Sequence, residues 1–128
     1  MKPTHIQETE DCRQISGMLS RIGDKWTVLV VNYLGDGKLR FSELQRKVGG
    51  ISQKMLTVTL RNLERDGFVT RTILPTSPPS VEYSLTDLGR DLLVPVRSIA
   101  DWTRANMNRI EESRRIFDRK HESRALAK

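Results

Sequence analysis

Along most of this chain apolar residues return at helical spacing, and in one short region they alternate instead. From about Asp11 to Gly23, Ile15, Met18, Leu19 and Ile22 share one side of a 3.6-residue repeat, which predicts an amphipathic helix. Lys25 to Leu34 is apolar on nearly every side, with Trp26 read as packing at the edge of the core. Its β-branched run suits a strand, but Asp24 as an N-cap and Gly35-Asp36-Gly37 as a stop favour a central buried helix. Phe41, Leu44 and Val48 predict a short helix, and Gly49-Gly50 permits a sharp turn after it. Leu56, Leu60 and Leu63 then form the stripe of a longer helix, which Met55 is expected to widen. Its opposite side carries Gln53, Lys54, Thr57, Arg61 and Arg65; Ser52 stands as its N-cap and Gly67 as the residue that ends it.

The pattern then changes period. Val69 to Leu74 is β-branched, Val81 to Leu85 alternates, and Pro75, Pro78 and Pro79 stiffen the loop between them, which predicts a projecting hairpin. Two short helices joined by a glycine turn and followed at once by a hairpin describe a winged helix-turn-helix. The expected fold is mainly α with a small β-hairpin wing, in the α+β class. Thr86-Asp87 caps a further helix, which Pro95 should kink or restart. Beyond it Val96, Ile99, Trp102, Met107 and Ile110 continue an apolar stripe, although a winged-helix core closes before Leu93. The same stripe on a second copy would bury it, so a two-fold homodimer is expected. Its interface would join these residues to Ile15, Met18 and Leu19 of the N-terminal helix. From Glu111 the chain is charge-dense, and a fraying helix or disordered tail is expected there.

Composition narrows the class. The 128 residues suit one domain, 37% hydrophobic and 30% charged. No apolar run approaches the ~18 residues of a membrane span, and the first residues lack a secretory core, so a cytoplasmic protein with no membrane partner is expected. The single cysteine, Cys12, excludes an internal disulfide framework. His5 and His121 lie far apart without metal-ligand spacing, and no phosphate loop, nucleophile elbow or triad occurs, so neither a metal, nor a cofactor, nor catalysis is expected. The net charge of +6 matters through its placement. Between 38 and 61, Lys38, Arg40, Arg46, Lys47, Lys54 and Arg61 face Glu43 alone, and residues 104–128 hold eight basic against four acidic side chains. Such placement suits a phosphate backbone.

The polar residues can be matched to DNA chemistry. Gln53, Thr57 and Arg61 are candidates for base edges, since Gln pairs with adenine, Arg with guanine, and the Thr methyl meets the thymine methyl. Ser52 and Lys54 suit phosphates at a helix N-terminus, and Val58 is small enough to lie against the groove. Arg40 at the mouth of the first short helix, with Arg71, Ser77 and Ser80 in the wing, are further backbone-contact candidates. For any one of these a solvated helix face accounts for the residue equally well; their shared placement on one module strengthens the set.

Several blocks occur in order: Gly23-Asp24-Lys25-Trp26, Arg40-Phe41-Ser42-Glu43-Leu44, Ile51 to Thr57, Leu60-Arg61-Asn62-Leu63-Glu64, Asp66-Gly67-Phe68-Val69, and Pro78-Pro79 with Val81 to Thr86. From about Cys12 to Trp102 the chain resembles the HxlR family of winged-helix transcription regulators, relatives of the MarR group. The resemblance implies a homodimer on inverted-repeat promoter DNA, each protomer placing one recognition helix in the major groove and a wing alongside. It divides the chain into a flexible arm (1–10), an HxlR-type DNA-binding domain (11–103), and a dimerisation-helix extension with a charged tail (104–128). Family members carry a cysteine-proline pair before the first helix, which in some senses oxidants or electrophiles. Here Arg13 follows Cys12, so the position matches and the proline does not. Cys12 is a candidate redox sensor or an ordinary thiol. Rival readings are a winged-helix module that docks proteins and a nucleic-acid binder blind to sequence.

Overall fold

In the β-branched stretch Lys25–Leu34 the helix wins, and its cap shows why. Asp24 Oδ2 accepts hydrogen bonds from the Thr27 backbone N–H at 3.1 Å and from the Thr27 hydroxyl at 3.2 Å, which holds the first turn before any tertiary packing is made. The computed structural model describes residues 10–126 and runs α1 (Glu10–Ile22), α2 (Lys25–Leu34), β1 (Leu39–Arg40), α3 (Phe41–Val48), α4 (Gln53–Arg65), β2 (Val69–Leu74), β3 (Ser80–Leu85) and α5 (Asp87–Leu126). Apart from Glu10, the arm expected over residues 1–10 lies outside the described residues.

Helix α2 is the centre of the core, packed by α1, α3, α4 and β3. Val30, Val31 and Leu34 are fully buried, as are Leu44 of α3 and Leu56, Leu60 and Leu63 of α4. Each such leucine contributes roughly 1.5–3 kcal/mol by leaving water. The buried arc of α4 is Leu56, Thr59, Leu60 and Leu63. Met55 does not widen it: Thr59 takes the flanking position, and Met55 is turned outward, 43% exposed.

Gly49 and Gly50 both have positive φ and make the turn between α3 and α4. Ser52 Oγ accepts from Met55 N at 3.0 Å and starts α4. At its far end Gly67, φ 86°, lets its own N–H reach the Glu64 carbonyl and the Phe68 N–H reach that of Leu63, a Schellman closure. That closure turns the chain directly into β2.

The sheet holds one strand more than the sequence pattern indicates. β2 and β3 pair antiparallel from Val69 opposite Leu85 to Leu74 opposite Ser80, and the two-residue β1 adds to the other edge of β3, Leu39 opposite Tyr83 and Arg40 opposite Glu82. The order is β1-β3-β2. Two residues are too few to show alternation, which is why β1 is silent in the sequence.

Thr86 caps α5, its hydroxyl accepting from Gly89 N at 3.1 Å and donating to the Gly67 carbonyl. The restart expected at Pro95 does not occur, and α5 is one helix through that residue. Val96, placed above in a dimer interface, is only 3% exposed and belongs to the core of its own chain, with Leu92. It has no surface left to offer a partner. Residues up to Val96 form one compact unit and those from Arg97 a second. In the second the helix continues to Leu126, so of the two expectations for the tail it is the helical one that the described residues take. No helix among the described residues is long and apolar enough to cross a membrane.

Candidate nucleic-acid interface

Because the Leu56–Thr59–Leu60–Leu63 arc faces inward, Gln53, Thr57, Arg61 and Arg65 necessarily face out on the side toward the wing. They form one wall of a groove of about 960 Å³; Arg71, Ser80, Val81 and Tyr83 of the hairpin form the other, and Arg40 and Phe41 close one end. The groove thus unites Arg40, Gln53, Thr57, Arg61, Arg71 and Ser80 of the expected contact set. Glu64 is the one carboxylate among the residues that line it.

Its electrostatics follow from what is not paired. Among the described residues, Arg40, Arg61, Arg65 and Arg71 have no side-chain ion-pair partner. Nearby charges that could have neutralised them are engaged elsewhere. The Glu43 carboxylate accepts the Arg40 backbone N–H at 2.9 Å and caps α3. Glu82, opposite Arg40 in the sheet, lies 3.8 Å from Lys38 Nζ. Four guanidinium groups therefore face one groove, which attracts phosphate oxygens and supplies planar donors for base edges.

Thr57 is preset for a methyl contact. Its hydroxyl donates to the Gln53 carbonyl at 2.8 Å, so its proton is committed within the helix and a ligand meets the methyl group and an acceptor lone pair. In the wing, the Thr76 hydroxyl donates to the Pro78 carbonyl at 2.8 Å and lies 3.3 Å from Ser80 Oγ, folding the loop back on itself. The Ser77–Pro78 peptide is cis.

The remaining candidates fall outside the groove. Ser52 and Lys54 are exposed at the start of α4, and Ser77 is exposed in the wing loop. Val58, 45% exposed, lies on the α4 flank away from the wing with Met55. Arg65, outside the expected contact set, also lines the groove. It sits one turn beyond Arg61, and that i, i+4 relation was the signal available. Of the expected dimer residues, Leu19, Ile99 and Trp102 are well exposed and Met18 less so, while Ile15, Met107 and Ile110 are half-buried. Cys12, on α1, is half-buried, its Sγ 3.9 Å from Ser16 Oγ.

Known proteins share this fold. Residues 21–111 match the model of the HxlR-like helix-turn-helix family. Over 90 residues the chain is 46% identical to the HTH-type transcriptional regulator YtfH of Escherichia coli (strain K12), covering 70% of this chain and 71% of that one. A solved transcriptional regulator, ytfH from Salmonella typhimurium, superposes with TM-score 0.74 at 43% identity, over 78% of this chain and 89% of that one. The redox regulator HypR in its oxidised form superposes with TM-score 0.68 at 42% identity, over 73% of this chain and 96% of that one. A family match over most of the chain, with the same winged fold in relatives of this identity, leads to one conclusion: this chain belongs to the HxlR-like helix-turn-helix family.

Proposed function

We propose that this protein is a sequence-specific transcription regulator that binds inverted-repeat promoter DNA as a cytoplasmic homodimer. The observation that carries the reading is the groove between α4 and the wing, where Gln53, Thr57 and Arg61 stand beside guanidinium groups that form no ion pair among the described residues. Relatives named as transcriptional regulators support it. In this reading α4 enters the major groove, Gln53, Thr57 and Arg61 address bases, and Ser52, Lys54, Arg40, Arg71, Ser77 and Ser80 hold the backbone. Arg65 joins the phosphate contacts. The dimer uses the exposed apolar residues Met18, Leu19, Ile99 and Trp102 with the half-buried Ile15, Met107 and Ile110.

A mobility-shift titration on the DNA upstream of the protein's own gene, with random DNA as competitor, tests the reading. Selective retention supports it. Equal affinity for both marks a binder blind to sequence, and no binding marks a protein-docking module. Sedimentation of the protein at micromolar concentration checks the dimer, and a monomer at that concentration sinks the two-fold arrangement.

Cys12 is proposed as the oxidant-responsive group of the regulator, supported by its position on α1 and by the similarity to HypR, named a redox regulator. With one cysteine per chain, any disulfide joins Cys12 to a thiol outside the chain. Two thiols become one disulfide, and diamide takes up the two electrons and two protons. Diamide should release operator DNA from the wild type and not from Cys12→Ser; equal release from both ends the idea.

A further inference from the structure

Helix α4 has a second flank, facing away from the wing, where a hollow of about 390 Å³ opens between α1, the start of α2 and α4. Its floor holds a polar group with no protein partner. Thr59 is 4% exposed and lines the hollow, yet its hydroxyl makes no hydrogen bond among the described residues. Helical threonines usually satisfy that group on the carbonyl four residues back, as Thr57 and Thr103 do here. A buried hydroxyl left unmatched is costly, and this oxygen is not sealed off, so it opens on the hollow it lines. The Asn62 carboxamide beside it, half-buried, also has no partner among the described residues.

The walls set the chemistry of what could satisfy them. Met55 and Val58 provide exposed apolar surface on one side. On the other, Arg21 Nε lies 2.9 Å from Asp66 Oδ2, so its charge is already compensated. Asp24 engages Thr27 through Oδ2 only, leaving its other carboxylate oxygen available. The hollow thus offers an apolar wall, a hydroxyl, a carboxamide and a carboxylate, and no uncompensated cation. Its volume lies within the range of small-molecule sites.

We infer that this hollow binds a small aromatic molecule with a non-anionic hydrogen-bonding end, an amide or an amidinium. The ring lies against Met55 and Val58, and the polar end meets Thr59, Asn62 and Asp24. Calling it the effector site of a regulator rests on the DNA-binding reading above, because Met55 and Val58 belong to the helix assigned to the major groove. Binding itself does not depend on that reading.

The test is a matched series of benzamidine, benzamide and benzoate titrated into the full chain without DNA, followed by amide and methionine-methyl NMR. Benzamidine and benzamide should shift Met55, Thr59 and Asn62 saturably at roughly millimolar affinity, the strength that fragments of this size reach. Benzoate should bind several-fold more weakly. Gly17 lines the mouth of the hollow, and a Cβ there would meet nothing within 4 Å. Gly17→Leu therefore occludes the site while improving helix propensity; it should abolish binding without lowering the thermal midpoint. Thr59→Val keeps the shape and removes the hydroxyl, so binding should weaken about tenfold while the thermal midpoint holds or rises. The inference is overturned by no saturable shift with benzamidine or benzamide, by shifts centred elsewhere, or by unchanged affinity in both variants. All readouts are taken on the protein alone, so failure here leaves the DNA reading standing, and failure of the mobility shift leaves this site standing.

Discussion

Helix α4 and the Arg97–Leu126 stretch of α5 are both cationic helices, and a charge count treats them alike. Part of the charge on α5 is engaged along its own helix. Along α5, Arg104 lies 3.1 Å from Asp101, Arg115 lies 2.7 Å from Glu112, and Arg109 donates to the Asn106 carboxamide at 3.1 Å, each three residues back on the same helix. On α4, Arg61 and Arg65 have no such partner among the described residues, and Arg40 and Arg71 come from other elements to face the same groove. Exposed i, i+3 ion pairs are worth little to stability, but the pairs to Asp101 and Glu112 cancel the local field of Arg104 and Arg115 that would draw a phosphate. The lesson is that convergence of unpaired guanidinium groups on one groove, rather than summed charge, marks the candidate interface.

The largest expected difference between the two helices is in packing. Leu60 is fully buried and Ile116 is 45% exposed. Leu60→Ala should cost about 2–5 kcal/mol in urea unfolding, whereas Ile116→Ala should stay within about 0.5 kcal/mol at concentrations too low for self-association. A similar loss from both would remove the contrast between a packed and an exposed helix.

Next comes base reading. Arg61→Ala should weaken specific binding by about 1–3 kcal/mol and relax the preference at one base pair. Measured by anisotropy on operator and random duplexes, the loss should fall on the operator. An equal loss on both reassigns Arg61 to the phosphate backbone.

How legible this contrast is in the sequence depends on the element. The limits of α4 are written in single residues, Ser52 and Gly67, whose side-chain oxygen and missing Cβ solve the problem of the helix ends locally. Asp24 does the same for α2 against its β-branched run. The winged fold and the wing-side wall of the groove therefore follow from pattern and caps alone. Elements decided by contacts far along the chain do not. β1 exists because β3 offers it an edge. Met55 loses the inner face to Thr59 through packing with α2, and Val96 is drawn into a core whose extent no local window reveals. The pairing of Arg104 and Arg115 is written in their i, i+3 spacing to Asp101 and Glu112, but net charge conceals it.

Salt dependence sharpens the comparison at smaller amplitude. Lys54 is exposed at the start of α4, beside unpaired backbone N–H groups. Lys54→Ala should lower the slope of log affinity against log salt by about one unit. Arg115→Ala, which removes an already compensated charge, should leave that slope unchanged. A drop of the same size from Arg115→Ala would place the C-terminal stretch on DNA and erase the distinction drawn between the two helices.

The smallest effect tests the pairing itself. The Arg115 guanidinium, by hydrogen bond and then by charge, holds the Glu112 carboxyl below its ordinary value of 4.5. A carboxyl whose folded value is depressed stabilises the helix while ionised, and that contribution is lost as pH falls through the folded value. The pair should therefore support α5 in full at pH 6, begin to lose that support as the pH falls below the ordinary value of 4.5, and lose the rest through the lower folded value. Comparing the thermal loss of the 222 nm signal for wild type and Glu112→Gln isolates it from general acid unfolding. The variant should melt slightly earlier at pH 6, and the gap should narrow as the pH is lowered below 4.5. A gap that stays the same width as the pH falls would show that the bond to Arg115 is not what Glu112 contributes, and the Arg115 guanidinium would then be as available as those of α4.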